Sequence, residues 1–171
     1  MPTNILYEPM IAREKGLGYV GWMDRAGELF FPHVDTCCAV AVAFENNAII
    51  GGHVPLVWGP KDGANASGNF KRIFDLIEVT RQNHVSKSKV RCLYAVGPEH
   101  WRRPFSDTLA KYDPAFSLEF PALQVMTDST ANGADVRLTT DLKTVSLTVI
   151  DFKTKAAKTY ETPEETEEMR F

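Results

Sequence analysis

The chain has 171 residues, 44% hydrophobic and 24% charged, with a net charge of -3. That size and balance suit one globular domain with a sizeable core and exclude a disordered or fibrous chain. The weak negative charge offers no basic field for nucleic acid, and no apolar run is long enough to span a bilayer.

The first residues show no basic stretch followed by an apolar segment, so no signal peptide is expected. The cysteine count is odd: Cys37, Cys38 and Cys92. Neighbours such as Cys37 and Cys38 do not form an ordinary unstrained bridge. Free thiols in a reducing setting follow, in the cytoplasm or in an effector exported without a signal peptide.

Gly16 to Met23 reads as a first strand, Asp24 to Gly27 as a turn, and Glu28 to Phe31 as a short strand ended by Pro32. Cys38 to Phe44 is an unbroken run of small and β-branched residues, which predicts a strand buried on both faces. Asn46-Asn47 supplies a tight turn, and Ala48 to Trp58 is a second apolar run. Gly51-Gly52 inside that run predicts a bulge or a close approach of another backbone.

Gly59 to Gly68 is loop, and Asn69 is the predicted cap of a helix over Phe70 to Asn83, where Phe70, Ile73, Phe74 and Ile77 share one face. Lys89 to Val96 is a strand, Pro104 to Tyr112 a short helix, and Ala122 to Thr127 another strand. Ser129 to Gly133 reads as a turn, and Asp135 to Thr140 pairs with Thr144 to Phe152. From Thr159 the acidic composition predicts a frayed tail, which leaves 1–158 as the folded domain and 159–171 as the tail. The expected fold class is α+β: a mixed, largely antiparallel β-sandwich with helices packed on the outside.

With Asn46-Asn47 as a two-residue loop, residues whose numbers sum to 93 face each other. Cys38 then lies diagonal to His53, on the same face, and Cys37 points away. This predicts Cys38 as nucleophile and His53 as general base and acid. Backbone N–H groups of Thr36, Cys37 or Cys38 would receive the oxyanion. The choice depends on register, because a slip of one residue reverses the face, and Gly51-Gly52 is the place where a slip would arise.

Cys38-Ala-Val-Ala-Val-Ala-Phe-Glu45, followed by Ile50-Gly51-Gly52-His53, resembles the strand–turn–strand core of CheD-type receptor glutamine deamidases. The same Cys–His core recurs in toxins resembling the cytotoxic necrotizing factors. The order of elements agrees over roughly Gly16 to Ile150, while only Cys38 to His53 is close in residues. The resemblance implies a CheD-like sandwich and a protein-glutamine deamidase, a bacterial effector or chemotaxis-related hydrolase, working through a thioester without a cofactor or metal. Its substrate would be a Gln side chain on a partner protein.

Where CheD-type proteins place a threonine beside the histidine, this chain has Pro32. Thr36 is the nearby choice for orienting the imidazole, ahead of Asp35 and His33, and a backbone carbonyl would serve as well. A non-catalytic interaction domain on the same scaffold, or a thiol hydrolase or transglutaminase-like enzyme, are the alternatives.

Trp101 and Arg102, in a loop after Gly97-Pro98, are candidates for contacting a substrate, since aromatics and Arg anchor interfaces. Zinc on Cys37, Cys38 and His53 is disfavoured, because adjacent strand cysteines point apart and no second Cys/His pair exists. His84 reads as a solvated histidine at a helix C-terminus.

Overall fold

The computed structural model describes residues 2–9, 19–59, 61–85, 89–111, 122–127, 133–161 and 167–170. In chain order these form β1 (Thr3–Ile5), β2 (Val20–Met23), β3 (Gly27–Val34), β4 (Cys38–Phe44), β5 (Ile49–Val54) and α1 (Ala66–His84). Then come β6 (Val90–Pro98), a 3-10 turn (Glu99–Trp101), α2 (Arg102–Lys111), β7 (Ala122–Thr127), β8 (Ala134–Thr140), β9 (Val145–Asp151), β10 (Ala157–Glu161) and β11 (Glu167–Arg170).

The strands make two sheets, ordered β1-β3-β8-β9-β10 and β11-β7-β6-β4-β5-β2. The β1–β3, β6–β7 and β7–β11 pairs are parallel. The other pairs are antiparallel. The fold is therefore the expected α+β sandwich, with helices against the outer face of the second sheet.

Strand β4 lies inside that sheet and explains its own composition. Ala39, Ala41 and Ala43 face the first sheet, where they join Leu29, Phe31, Val136 and Leu147. Cys38, Val40, Val42 and Phe44 face the helices and pack with Phe70, Ile73, Phe74 and Ile77. Every residue of β4 is buried, which is why the run is apolar without alternation. Small side chains fill the face toward the other sheet, and larger ones fill the face toward α1.

Several expectations are corrected by the fold. Pro32 does not end β3, which runs on to Val34; the pairing with β8 shifts register between Phe31 and Val34, so the missing N–H falls where the ladder is already irregular. The helix starts earlier than Phe70, because Asn65, not Asn69, caps it by accepting from the Gly68 N–H at 3.0 Å. Asn69 is buried instead, donating to the Pro55 and Leu56 carbonyls at 3.0 and 3.1 Å.

The acidic segment expected to fray carries two edge strands. Tyr160 pairs with Leu147 and packs on the inter-sheet core, while Thr159 and Thr148 join their hydroxyls at 3.0 Å. The charges of Lys158 and Glu161 lie exposed, as suits an edge strand. Residues 16–18, Tyr112 and most of the Ser129 to Gly133 turn lie outside the described residues. Among the described residues, no helix is long and apolar enough to cross a membrane.

Candidate active site

The site is set by the turn between β4 and β5. The Asn47 N–H donates to the Phe44 carbonyl at 2.8 Å, and the Phe44 N–H donates to the Ala48 carbonyl at 3.0 Å. Glu45, Asn46 and Asn47 therefore form a three-residue loop, and Asn47 takes the left-handed conformation that such a loop requires, with φ 61°. The Asn47 side chain holds it there, donating to the Leu142 and Lys143 carbonyls at 3.1 Å each and accepting from Arg91. Thr140 Oγ1 donates to its carbonyl at 2.6 Å.

One extra loop residue changes the register. Cys38 faces Val54 and Ala39 faces His53, so facing numbers sum to 92 rather than 93. His53 consequently points to the inter-sheet face, with Ala39. Cys38 points to the other face, under the helices, where its thiol contacts the Ala39 carbonyl at 3.7 Å. The predicted Cys38–His53 pairing is thus overturned, and the residue that meets His53 is Cys37.

Gly51-Gly52 is not a bulge: pairing with β4 on one side and β2 on the other runs through it without a shift. Both glycines serve close approach. A Cβ on Gly51 would lie 2.7 Å from Phe31 in the opposite sheet, and a Cβ on Gly52 would lie 2.5 Å from Ile73 on α1.

Cys37 Sγ lies 2.7 Å from His53 Nε2. On the other side of the ring, His53 Nδ1 lies 2.9 Å from the Leu6 carbonyl oxygen. A carbonyl only accepts, so Nδ1 carries the proton and Nε2 receives the thiol hydrogen. Leu6 is held in place because its N–H donates to the Phe30 carbonyl at 2.8 Å, extending the β1–β3 pairing. Cys37 and His53 are each only 1% exposed. Half-buried Glu8 reaches the same place, its carboxylate lying within 4.8 Å of both Cys37 Sγ and a His53 nitrogen.

The electrostatics favour a neutral pair at rest. Burial pushes the Cys37 thiol far up, and the Glu8 carboxylate adds to that, while backbone hydrogen bonds from Asp35 and Cys37 itself pull the other way. Burial pulls His53 below its ordinary 6.5, opposed by the Leu6 hydrogen bond and by Glu8. Cys38 is raised as well, by burial first and then by Cys37.

The loop carrying Cys37 is pinned from outside. The Trp101 indole N–H donates to the Thr36 carbonyl at 2.9 Å, and His100 Nε2 contacts the same oxygen at 3.1 Å. Gly97 lets the loop come close, since a Cβ there would lie 3.0 Å from the Cys37 carbonyl. Thr36 is therefore joined to the Trp101 turn through its backbone, and the Leu6 carbonyl, not Thr36, orients His53.

Trp101 is corrected too. At 0% exposure it belongs to the core beneath α1 and presents no surface to a substrate. Arg102 is engaged by Glu99 in a two-pronged pair at 3.0 and 3.1 Å. His84, exposed as expected, also stacks on Trp22 at 4.1 Å.

Leu6 and Glu8 were absent from the sequence reading. The first acts through a carbonyl, which its side chain does not advertise, and the second comes from a weakly patterned stretch brought in by a three-residue parallel edge strand. Compared with protein-family models and with curated proteins, the chain finds no match.

Proposed function

We propose that the protein is a cysteine-dependent amidohydrolase, a CheD-like protein-glutamine deamidase, with Cys37 as nucleophile and His53 as base and acid. The observation that carries this reading is the 2.7 Å contact between Cys37 Sγ and His53 Nε2, with the opposite ring nitrogen anchored on Leu6. A nucleophile, a base and a group orienting the base are the parts that thiol catalysis requires.

His53 takes the thiol proton as sulfur attacks the carboxamide carbon of a Gln side chain. The protonated imidazole then gives that proton to the departing ammonia, leaving a thioester. Water, deprotonated by the neutral His53, adds to the thioester carbon; the acid product leaves and the thiol is restored. The backbone groups of Asp35 and Cys37 that favour charge on the sulfur stand close to where the oxyanion would form. Exposed Asp35 and Thr36 mark the end of the sandwich from which a slender side chain would enter. The near-complete burial of the dyad favours water as acceptor over a lysine amine, and so hydrolysis over a transglutaminase-like outcome. The free thiols suit a reducing cytoplasm, whether the enzyme's own or a target cell's.

Ammonia release, with mass-spectrometric mapping of Gln→Glu changes in a bacterial lysate treated with wild type or variant, tests the reading. Wild type and Cys38→Ser are expected to give the same new Glu sites, and Cys37→Ser none. Identical profiles for wild type and Cys37→Ser refute it.

A further inference from the structure

Three kinds of donor atom from three separate stretches converge at the inter-sheet face. Cys37 Sγ comes from the loop before β4, His53 from β5, and a Glu8 oxygen from the segment after β1, all within 4.8 Å of one another. Thiolate, imidazole and carboxylate together suit a borderline-soft dication that accepts sulfur, nitrogen and oxygen alike.

His53 is arranged as metal-binding histidines are. One ring N–H is spent on a backbone carbonyl, at 2.9 Å from Leu6, which fixes the ring and aims the other nitrogen's lone pair at the cluster. The surroundings also favour a cation, since the charge acting on both Cys37 and His53 is the negative one of Glu8. Cysteines and histidines alone do not complete a zinc site in this sequence. The fold adds a carboxylate as third donor.

We propose that Glu8, Cys37 and His53 form a Zn2+ site, with the fourth position left to water. On binding, the Cys37 S–H bond breaks and a Zn–S bond forms, releasing one proton to solvent. His53 Nε2 and Glu8 supply lone pairs, and no electron is transferred. Zinc–sulfur and zinc–nitrogen bonds at a tetrahedral angle hold sulfur and nitrogen about 3.5 Å apart. Sγ and Nε2 therefore open from 2.7 Å, a movement of under about 1 Å that rotation of the Cys37 side chain supplies while its backbone stays pinned. The ion occupies both the nucleophile and the base, so zinc and thioester chemistry exclude each other at this site. The site stands on its donor geometry and not on the hydrolase reading.

Titration of the full chain with Co2+ under a non-thiol reductant tests it without any substrate. A sulfur-to-cobalt charge-transfer band in the near ultraviolet is expected to saturate at one ion per chain, with one proton released, and to vanish when one equivalent of Zn2+ is added. Cys37→Ser is expected to abolish the band, and Glu8→Gln to weaken cobalt binding at least tenfold. Far-ultraviolet circular dichroism checks each fold. Should Cys37→Ser not fold, Glu8→Gln, whose side chain is half-buried, decides. No band at millimolar cobalt, a band that survives Cys37→Ser, or unchanged affinity in Glu8→Gln overturns the site. None of these outcomes touches the deamidation assay, and inactivity in that assay leaves this site standing.

Discussion

Gly52 precedes His53 and sits where α1 presses on β5, so adding one methyl group there tests how closely the layers fit. The Cβ of Gly52→Ala would lie 2.5 Å from Ile73 Cγ2 and 3.1 Å from Val20 Cγ2. Ordinary carbon contact begins near 3.5 Å, so the deficit is about 1 Å against a fully buried side chain. Forcing a methyl group into a packed core costs about 1–3 kcal/mol, offset by about 0.5–1 kcal/mol from the lower entropy of unfolded alanine relative to glycine. A net loss of about 1–2 kcal/mol is expected.

Ile73→Ala alone removes the clashing Cγ2 and leaves a cavity, at a cost of about 2–5 kcal/mol. In the double variant the new methyl group occupies part of that cavity. The combined loss should therefore fall short of the sum by at least about 1 kcal/mol, whereas independent sites add to within about 0.5 kcal/mol. Urea denaturation of the four proteins of the cycle, at constant m, measures this. Gly51→Ala is the internal control. Its Cβ faces Phe31 and Leu29 in the opposite sheet and the Val40 carbonyl on the neighbouring strand β4, away from α1, so it should add to Ile73→Ala without coupling. Additive losses for Gly52→Ala and Ile73→Ala would refute the packing argument.

Asn47→Ala keeps the loop length but places a residue with a Cβ at φ 61° and removes the side-chain bonds to Leu142 and Lys143; a loss of about 2–3 kcal/mol is expected by chemical denaturation, and a smaller one for Asn47→Gly. Equal losses would show that the left-handed conformation contributes nothing. Trp101→Phe removes the indole bond to Thr36 and part of a buried ring, so stability should fall by about 1–3 kcal/mol. Iodoacetamide labelling of Cys37 in that variant should accelerate relative to Cys92, and unchanged relative labelling counts against the pinning of the loop. Stability should also depend on pH at both ends. His53 is depressed below 6.5 in the fold, so the unfolded chain takes up the proton first and stability falls as pH drops through 6.5 toward the folded value. Cys37 and Cys38 are raised above 9.0, so the unfolded chain loses protons first and stability falls as pH rises past 9. Denaturation midpoints in His53→Gln should lose the fall that sets in near pH 6.5 and keep the alkaline limb; an unchanged fall in that range would refute the assignment to His53.

The layers were legible in the sequence because burial writes itself into periodicity. The i, i+3, i+4, i+7 run from Phe70 marks the helix, and the unalternating β4 run marks a strand covered on both faces. The site was legible only to within one residue. The dipeptide Asn46-Asn47 fits both a two-residue and a three-residue loop, and the choice turns on a single φ that composition does not record. That one residue exchanged Cys38 for Cys37. Trp101 was misread for a related reason: its position in a loop says nothing about which way the loop folds, and its indole turns inward to reach the Thr36 carbonyl. The β10 edge strand escaped because its charges dominate its composition, although Tyr160 packs on the core and the strand pairs with β9.

The two adjacent cysteines have a use that does not depend on catalysis. Cys37 faces the seam between the sheets, and Cys38 faces the seam between sheet and helices. A bulky thiol reagent reaches either one only when its own seam parts. Peptide mapping after pulsed labelling, in rising but sub-denaturing urea, would time each opening from neighbouring atoms of one backbone. The doublet thus reads out the order in which the three layers come apart.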